Sequence, residues 1–203
     1  MVTYVIGLLA ALFIGWDLAK PLKNKPALFY AGAFVLDALC VAGAVLGWSG
    51  PAWDLYAALV GQGILAFFLL TVVMFTGCFE LGSNSRIRLK QVRQPLALAS
   101  VILCLGHLAY AGITQGAHEG GALFLATCGV LLVLLAVLGV TSLVVVQDHM
   151  KATVLAAVQK CSYPFFVVLC IHAAMVGNAW VYGAVGAIYV IARVRFQLRK
   201  GRS

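Results

Sequence analysis

The chain has 203 residues, of which 64% are hydrophobic and only 10% charged, with a mean hydropathy of +1.04. A soluble domain of this length cannot hide so much apolar surface, so composition excludes a water-soluble fold and points to an integral membrane protein. The formal net charge of +8 would suit a nucleic-acid partner, but its distribution along the chain favours a membrane face and excludes that class.

The apolar runs are long and unbroken. A transmembrane β-barrel would alternate over segments of about ten residues instead. In chain order the runs predict helices over Val2–Ala19, Ala27–Trp48, Tyr56–Gly77, Gln94–Thr114, Ala122–Val146, Thr153–Val176 and Ala179–Ala192. The first lacks a basic n-region and a cleavage site, so it is expected to be a retained helix rather than a secretory signal. The expected fold is an all-α integral membrane protein, a bundle of about six to seven transmembrane helices forming one domain over residues 1–203. No G-x-G-x-x-G or P-loop pattern occurs, so no nucleotide-binding domain is expected.

With seven helices, every lysine and arginine falls on one side of the membrane. Lys20, Lys23 and Lys25 lie between the first and second helices, and Arg86, Arg88, Lys90 and Arg93 between the third and fourth. Lys151 and Lys160 flank the connection into the sixth, and Arg193, Arg195, Arg199, Lys200 and Arg202 close the chain. The opposite connections carry Asp54 and His118–Glu119 but no basic residue. Basic loops stay cytoplasmic, so the N-terminus is expected outside and the C-terminus inside, in a multi-pass cell-membrane protein of the bacterial plasma-membrane type. Trp48, Trp53 and Trp180 then fall near the outer interface, where amphipathic rings settle. The six cysteines are scattered, with no C-x-x-C pair, and read as small apolar packing residues.

Two histidines interrupt this apolar chain. If the fourth and sixth helices begin at the same face, His107 lies 13 residues beyond Gln94 and His172 lies 13 residues beyond Gln159. At 1.5 Å per residue both reach about 20 Å into the membrane. Ionisable side chains in the bilayer are costly and mark function by default, and imidazole is a common axial ligand of haem iron. Two imidazoles at one depth on parallel helices suit a haem clamped between them. A proton or substrate pathway and a purely structural role are the other readings.

Further candidates surround this pair. Asp37 is the one carboxylate well inside an apolar helix, and reads either as a proton acceptor in quinol oxidation or as a protonated acid bonded to a neighbouring helix. Tyr110, Thr114, Gln115, His118–Glu119 and Asn178 line the outer ends of the two histidine helices. Tyr110, Gln115 and His118 are candidate donors to outward-facing haem propionates, with ordinary interfacial residues as the alternative. Gly61-Gln62-Gly63 and Gly129 fall in the same outer half, where small residues allow close packing or leave room for a flat macrocycle. Pro164 can kink the helix that carries His172.

Two stretches carry a family resemblance. Arg86–Tyr110 (RIRLKQVRQPLALASVILCLGHLAY) resembles the basic loop and helix of the ferric-reductase-like transmembrane domain, and Thr141–Ala174 (TSLVVVQDHMKATVLAAVQKCSYPFFVVLCIHAA) resembles the helix pair that follows it. That family includes eukaryotic ferric reductases, NADPH oxidases and the haem-binding membrane partner of the bacterial periplasmic methionine-sulfoxide reductase. The resemblance covers a little under half the chain; the first three helices match only in hydropathy. It implies one noncovalent haem b with His107 and His172 as axial ligands. It also exposes a departure. Many relatives hold a second, inner haem, but the corresponding positions here are Gln94 and Gln159, and glutamine is outside the usual haem-ligand set. A lone inner ligand at His149 is the remaining alternative.

The expected function is therefore a membrane cytochrome that takes electrons from a quinol or a redox partner protein and passes them to an extracytoplasmic acceptor. Whether it is itself an enzyme stays open at this point. The alternatives are a haem-bearing anchor subunit of a larger redox complex, and a small proton-coupled transporter without haem.

Overall fold

The computed structural model describes residues 1–76, 78, 83–114 and 122–200, without the side chains of residues 83–88, 90, 144 and 200. Among the described residues the chain is helical, with no strand. Five helices are long and apolar enough to cross a membrane, or six if a bent pair counts as one span, as expected of a multi-pass membrane protein. Large apolar side chains on the outside, such as Val133, Val145 and Trp180, would be insoluble in water and are what lipid tails cover. The chain divides into two compact units, Met1–Thr76 with Leu81–His118 and Gly77–Glu80 with Glu119–Ser203.

The first unit starts with α1 (Val2–Trp16) and α2 (Ala19–Asn24). At 15 residues, α1 spans only about 22 Å, short of the ~30 Å hydrocarbon core, and it ends three residues before the expected boundary. Pro26 opens α3 (Pro26–Val45), where its missing N–H costs nothing. Gly47, at φ +67°, closes it: the Trp48 amide bonds the Gly43 carbonyl at 2.9 Å and the Gly47 amide bonds Ala44 at 3.3 Å. This double closure satisfies the last carbonyls of the helix.

The expected third helix is not continuous. It divides into α4 (Pro51–Tyr56), a wide π-type turn over Ala57–Gly61, and α5 (Ile64–Phe75), with a bend of 42° at the break. The Gln62 amide reaches back five residues to the Ala57 carbonyl, and Gly63 takes a left-handed conformation at φ +74°. Such a φ is strained for any residue with a Cβ, so glycine permits the break. Beyond it, α5 is buried on nearly every side, from Ile64 through Met74. α6 (Ser83–Thr114) runs alongside with Leu89, Val92, Leu96, Ala99, Leu103 and Gly106 on one buried stripe, packing against α3 and α5.

The second unit contains α7 (Ala122–Thr141), α8 (Val144–His149), α9 (Ala152–Gln159), α10 (Ser162–Val176) and α11 (Ala179–Lys200). α7 buries Leu131, Leu135 and Gly139, a four-residue repeat, and packs against α10. α9 and α10 together make one apolar span, Ala152–Val176. α10 and α11 meet where Phe166 and Tyr189 set their rings edge to face at 4.8 Å. α11 continues well past Ala192, the expected limit, because Arg193 through Lys200 keep good helix formers in register.

Candidate functional site

In the first unit the break before α5 meets the imidazole of α6. Within a regular helix the Gly61 carbonyl would serve a residue four positions on. At the break it lies 2.6 Å from His107 Nδ1. A carbonyl oxygen has no proton to give, so Nδ1–H donates and the ring's lone pair falls on Nε2. The contact is tight: a Cβ added at Gly63 would lie 3.2 Å from His107 Cγ. One added at Gly61 would lie 2.9 Å from the Tyr110 ring and 3.0 Å from Cys40 Sγ. The Gly-Gln-Gly segment therefore works as a backbone cradle, and Tyr110 is part of its wall.

Asp37 stands one residue from this imidazole through the neighbouring helix. Its carboxyl group presses on Gly106, where any Cβ would overlap it. The side chain is only 7% exposed, and Oδ1 has no hydrogen-bond partner among the described residues. Tyr56, the last residue of α4, donates its hydroxyl to the carbonyl of Leu36, the residue before Asp37, at 2.5 Å.

In the second unit α7 orients the imidazole of α10. His172 Nδ1 lies 3.4 Å from Thr127 Oγ1, with Cys128 Sγ at 3.8 Å. The Thr127 hydroxyl already donates to the Phe124 carbonyl at 2.8 Å, so its oxygen is left to accept. Nδ1–H can donate to that oxygen, and the Cys128 thiol can instead donate to an unprotonated Nδ1, so the two contacts suit opposite tautomers of His172. The Phe124 ring stacks on the imidazole at 5.2 Å and 26°, which limits its rotation. Gly129, one residue further along α7, has nothing within 4 Å of where a Cβ would stand.

Each histidine thus has its Nδ1 against a polar group from another segment of its own unit, the Gly61 carbonyl for His107 and Thr127 with Cys128 for His172. His149 differs. It is exposed at the end of α8, its Nδ1 bonding the Val145 carbonyl at 2.7 Å within its own helix. Gln94 is half-buried and Gln159 exposed. Gln115 and His118 lie outside the described residues. Among the described residues no three His, Cys, Asp or Glu side chains converge as a metal cluster would require. No protein-family model, curated protein or solved structure matches the chain.

The break at Gln62–Gly63 was the functional feature missed by hydropathy, because the residues on either side are equally apolar. Its signal was Gly61-Gln62-Gly63 itself: two glycines around a polar residue inside an apolar run mark a place where backbone is used rather than side chain.

Proposed function

We propose that the chain is a membrane b-type cytochrome holding one haem b, with His107 and His172 as its axial ligands. The observation that supports this reading is that each Nδ1 is occupied by a polar group of another segment, the Gly61 carbonyl for His107 and the Thr127 hydroxyl for His172. The resemblance of Arg86–Tyr110 and Thr141–Ala174 to the ferric-reductase-like transmembrane domain supports the same pair. The haem, when bound, supplies a one-electron ferric/ferrous couple.

The residues around the pair do the rest. The Gly61 carbonyl fixes the tautomer of His107, Thr127 and Cys128 hold Nδ1 of His172 in place, and Phe124 stacks against one face of His172. The apolar helices exclude water. Asp37 supplies a buried carboxyl group that accepts a proton as a quinol is oxidised. Tyr110, with Gln115 and His118, offers donors at the outer end. Gln94 and Gln159 leave the inner half without a second haem, so the electron donor is a membrane quinol rather than a cytoplasmic flavoprotein. The N-terminus lies outside, the basic tail inside, and the acceptor is an extracytoplasmic reductase or partner subunit.

A second reading has one observation in its favour. Broken helices with a nearby ionisable group also line proton-coupled paths in transporters, and α4–α5 with Asp37 and His107 form such a group. The absorption spectrum separates the two. The protein purified from haem-replete membranes is expected to show a Soret band with low-spin α and β bands. His107→Ala and His172→Ala are each expected to abolish it, while His149→Ala leaves it intact. A colourless wild-type protein, or a band lost with His149 and kept without His172, overturns the assignment.

A further inference from the structure

We infer that Gln62, at the break between α4 and α5, binds the ring of a lipid-soluble quinone or quinol. The inference rests on the quinol-fed cytochrome reading and locates its electron donor. Gln62 stands eleven residues after Pro51 and 13 before Phe75, in the bent pair that counts as one membrane span. At 1.5 Å per residue it is about 17 Å from one end and about 20 Å from the other, near the middle of the hydrocarbon. Its side chain is exposed there. The neighbours explain why: Gly61 and Gly63 carry no side chain to cover the amide, and Leu55 and Leu59 before it are apolar. An amide in lipid has no water to bond, and this one forms no hydrogen bond with the described residues.

Depth, space and chemistry choose the occupant. Phospholipid headgroups lie about 15 Å away, at the edge of the ~30 Å core, and acyl tails carry no polar atoms. A second copy of the chain would need a continuous free helix face. Here α5 is buried on nearly every side from Ile64 to Met74, and Gln62 is one exposed residue between buried Gly61 and half-buried Gly63. A small molecule that dissolves in the bilayer and brings its own oxygens fits this opening. The amide offers N–H donors to a quinone carbonyl and an acceptor oxygen to a quinol hydroxyl, so it suits both redox forms. Its backbone is also held beside the proposed haem ligand. The Gly61 carbonyl lies 2.6 Å from His107 Nδ1, and a Cβ at Gly63 would lie 3.2 Å from His107 Cγ. A ring bonded at Gln62 is therefore one residue from both contacts with the imidazole, and Asp37 presses on Gly106, the chain neighbour of that histidine.

The test uses the full chain, purified in a non-ionic detergent and freed of quinone and lipid. It is titrated with decylubiquinone, or with decylbenzene, which keeps a ring and the tail but lacks the oxygens. Native mass spectrometry counts bound ligand and reads the oligomeric state. One decylubiquinone per chain is expected, bound at least tenfold more tightly than decylbenzene. Gln62→Leu should lower that affinity at least tenfold and leave decylbenzene binding as it was. Gln159→Leu, the same change at an exposed glutamine of the other unit, should alter neither. Gln62 is exposed, with φ −82° and ψ 2°, a conformation open to leucine, so the variant is expected to fold, and its elution profile checks this. Equal decylubiquinone affinity in Gln62→Leu would overturn the site. So would equal binding of decylbenzene, or an equal loss in Gln159→Leu. A wild-type dimer that Gln62→Leu splits into monomers would assign the amide to a second copy and overturn it too. Haem content, measured on the same samples, keeps the two readings apart. A loss of decylubiquinone in Gln62→Leu supports the site even in a chain without haem, whereas a haem-loaded chain that binds it equally in both forms loses the site and keeps the cytochrome.

Discussion

Replacing Gly63 by alanine tests the link between the broken helix and His107. Gly63 sits at φ +74°, where a Cβ costs roughly 1–2 kcal/mol. The new methyl would also stand 3.2 Å from His107 Cγ and 3.4 Å from Nδ1, so the ring must yield by a few tenths of an ångström, away from the Gly61 carbonyl. Together these effects should total about 2 kcal/mol, or roughly a 30-fold shift in the folding equilibrium. For a chain of this length that corresponds to a drop of about 4–8 °C in thermal midpoint. Gly112→Ala is the control, because a Cβ there meets nothing within 4 Å and alanine is the better helix former by about 1 kcal/mol. Thermal unfolding in detergent, followed by size-exclusion chromatography, reads both variants. Gly63→Ala should fall and lose haem on washing, while Gly112→Ala should hold or rise. A Gly63→Ala protein with the wild-type midpoint and spectrum would refute the cradle.

Asp37 and Gly106 give a second, opposed pair. Asp37→Asn replaces the carboxyl group by an amide of nearly the same volume and should leave the fold as stable, yet slow reduction by a quinol analogue at least tenfold while reduction by dithionite is unchanged. Equal quinol rates in the two proteins would exclude a proton-accepting role. Gly106→Ala places a methyl on the Asp37 carboxyl group and should cost about 1–3 kcal/mol; an unaltered midpoint would mean that α3 and α6 are not so close. In proteoliposomes, an impermeant oxidant is expected to bleach the reduced haem band promptly only from the face opposite the arginine-rich tail. Equal rates from both faces would point to an inner relay, and speed only from the tail face would invert the orientation.

Much of this was legible in the sequence because membrane helices obey simple rules. Length and hydropathy place α3 and the α9–α10 span nearly where they fall, since each must satisfy its own backbone in lipid, but α6 starts at Ser83 rather than Gln94 and α7 stops at Thr141 rather than Val146. The ends were less legible. Hydropathy drops at Ala192, but arginine and lysine are strong helix formers and α11 continues. The expected segment Val2–Ala19 carries Asp17 near its end, and α1 stops just before it, at Trp16. His107 and His172 could be singled out from sequence because ionisable groups are rare in such segments. Their hydrogen-bond partners could not. The Gly61 carbonyl is backbone and leaves no signature of its own beyond the glycines, and Thr127 is one ordinary threonine among apolar residues until α7 meets α10. The position of Asp37 against Gly106 is likewise a property of two packed helices, visible in neither alone.

The most direct measurement is a pyridine-haemochrome titration of the purified full-length chain against its protein concentration, with the resting spectrum recorded by electron paramagnetic resonance. One haem b per chain, with a low-spin six-coordinate ferric signal, is the outcome expected if His107 and His172 are its two axial ligands and Gln94 and Gln159 hold none. Two haems per chain, a high-spin signal, or no haem at all would contradict it.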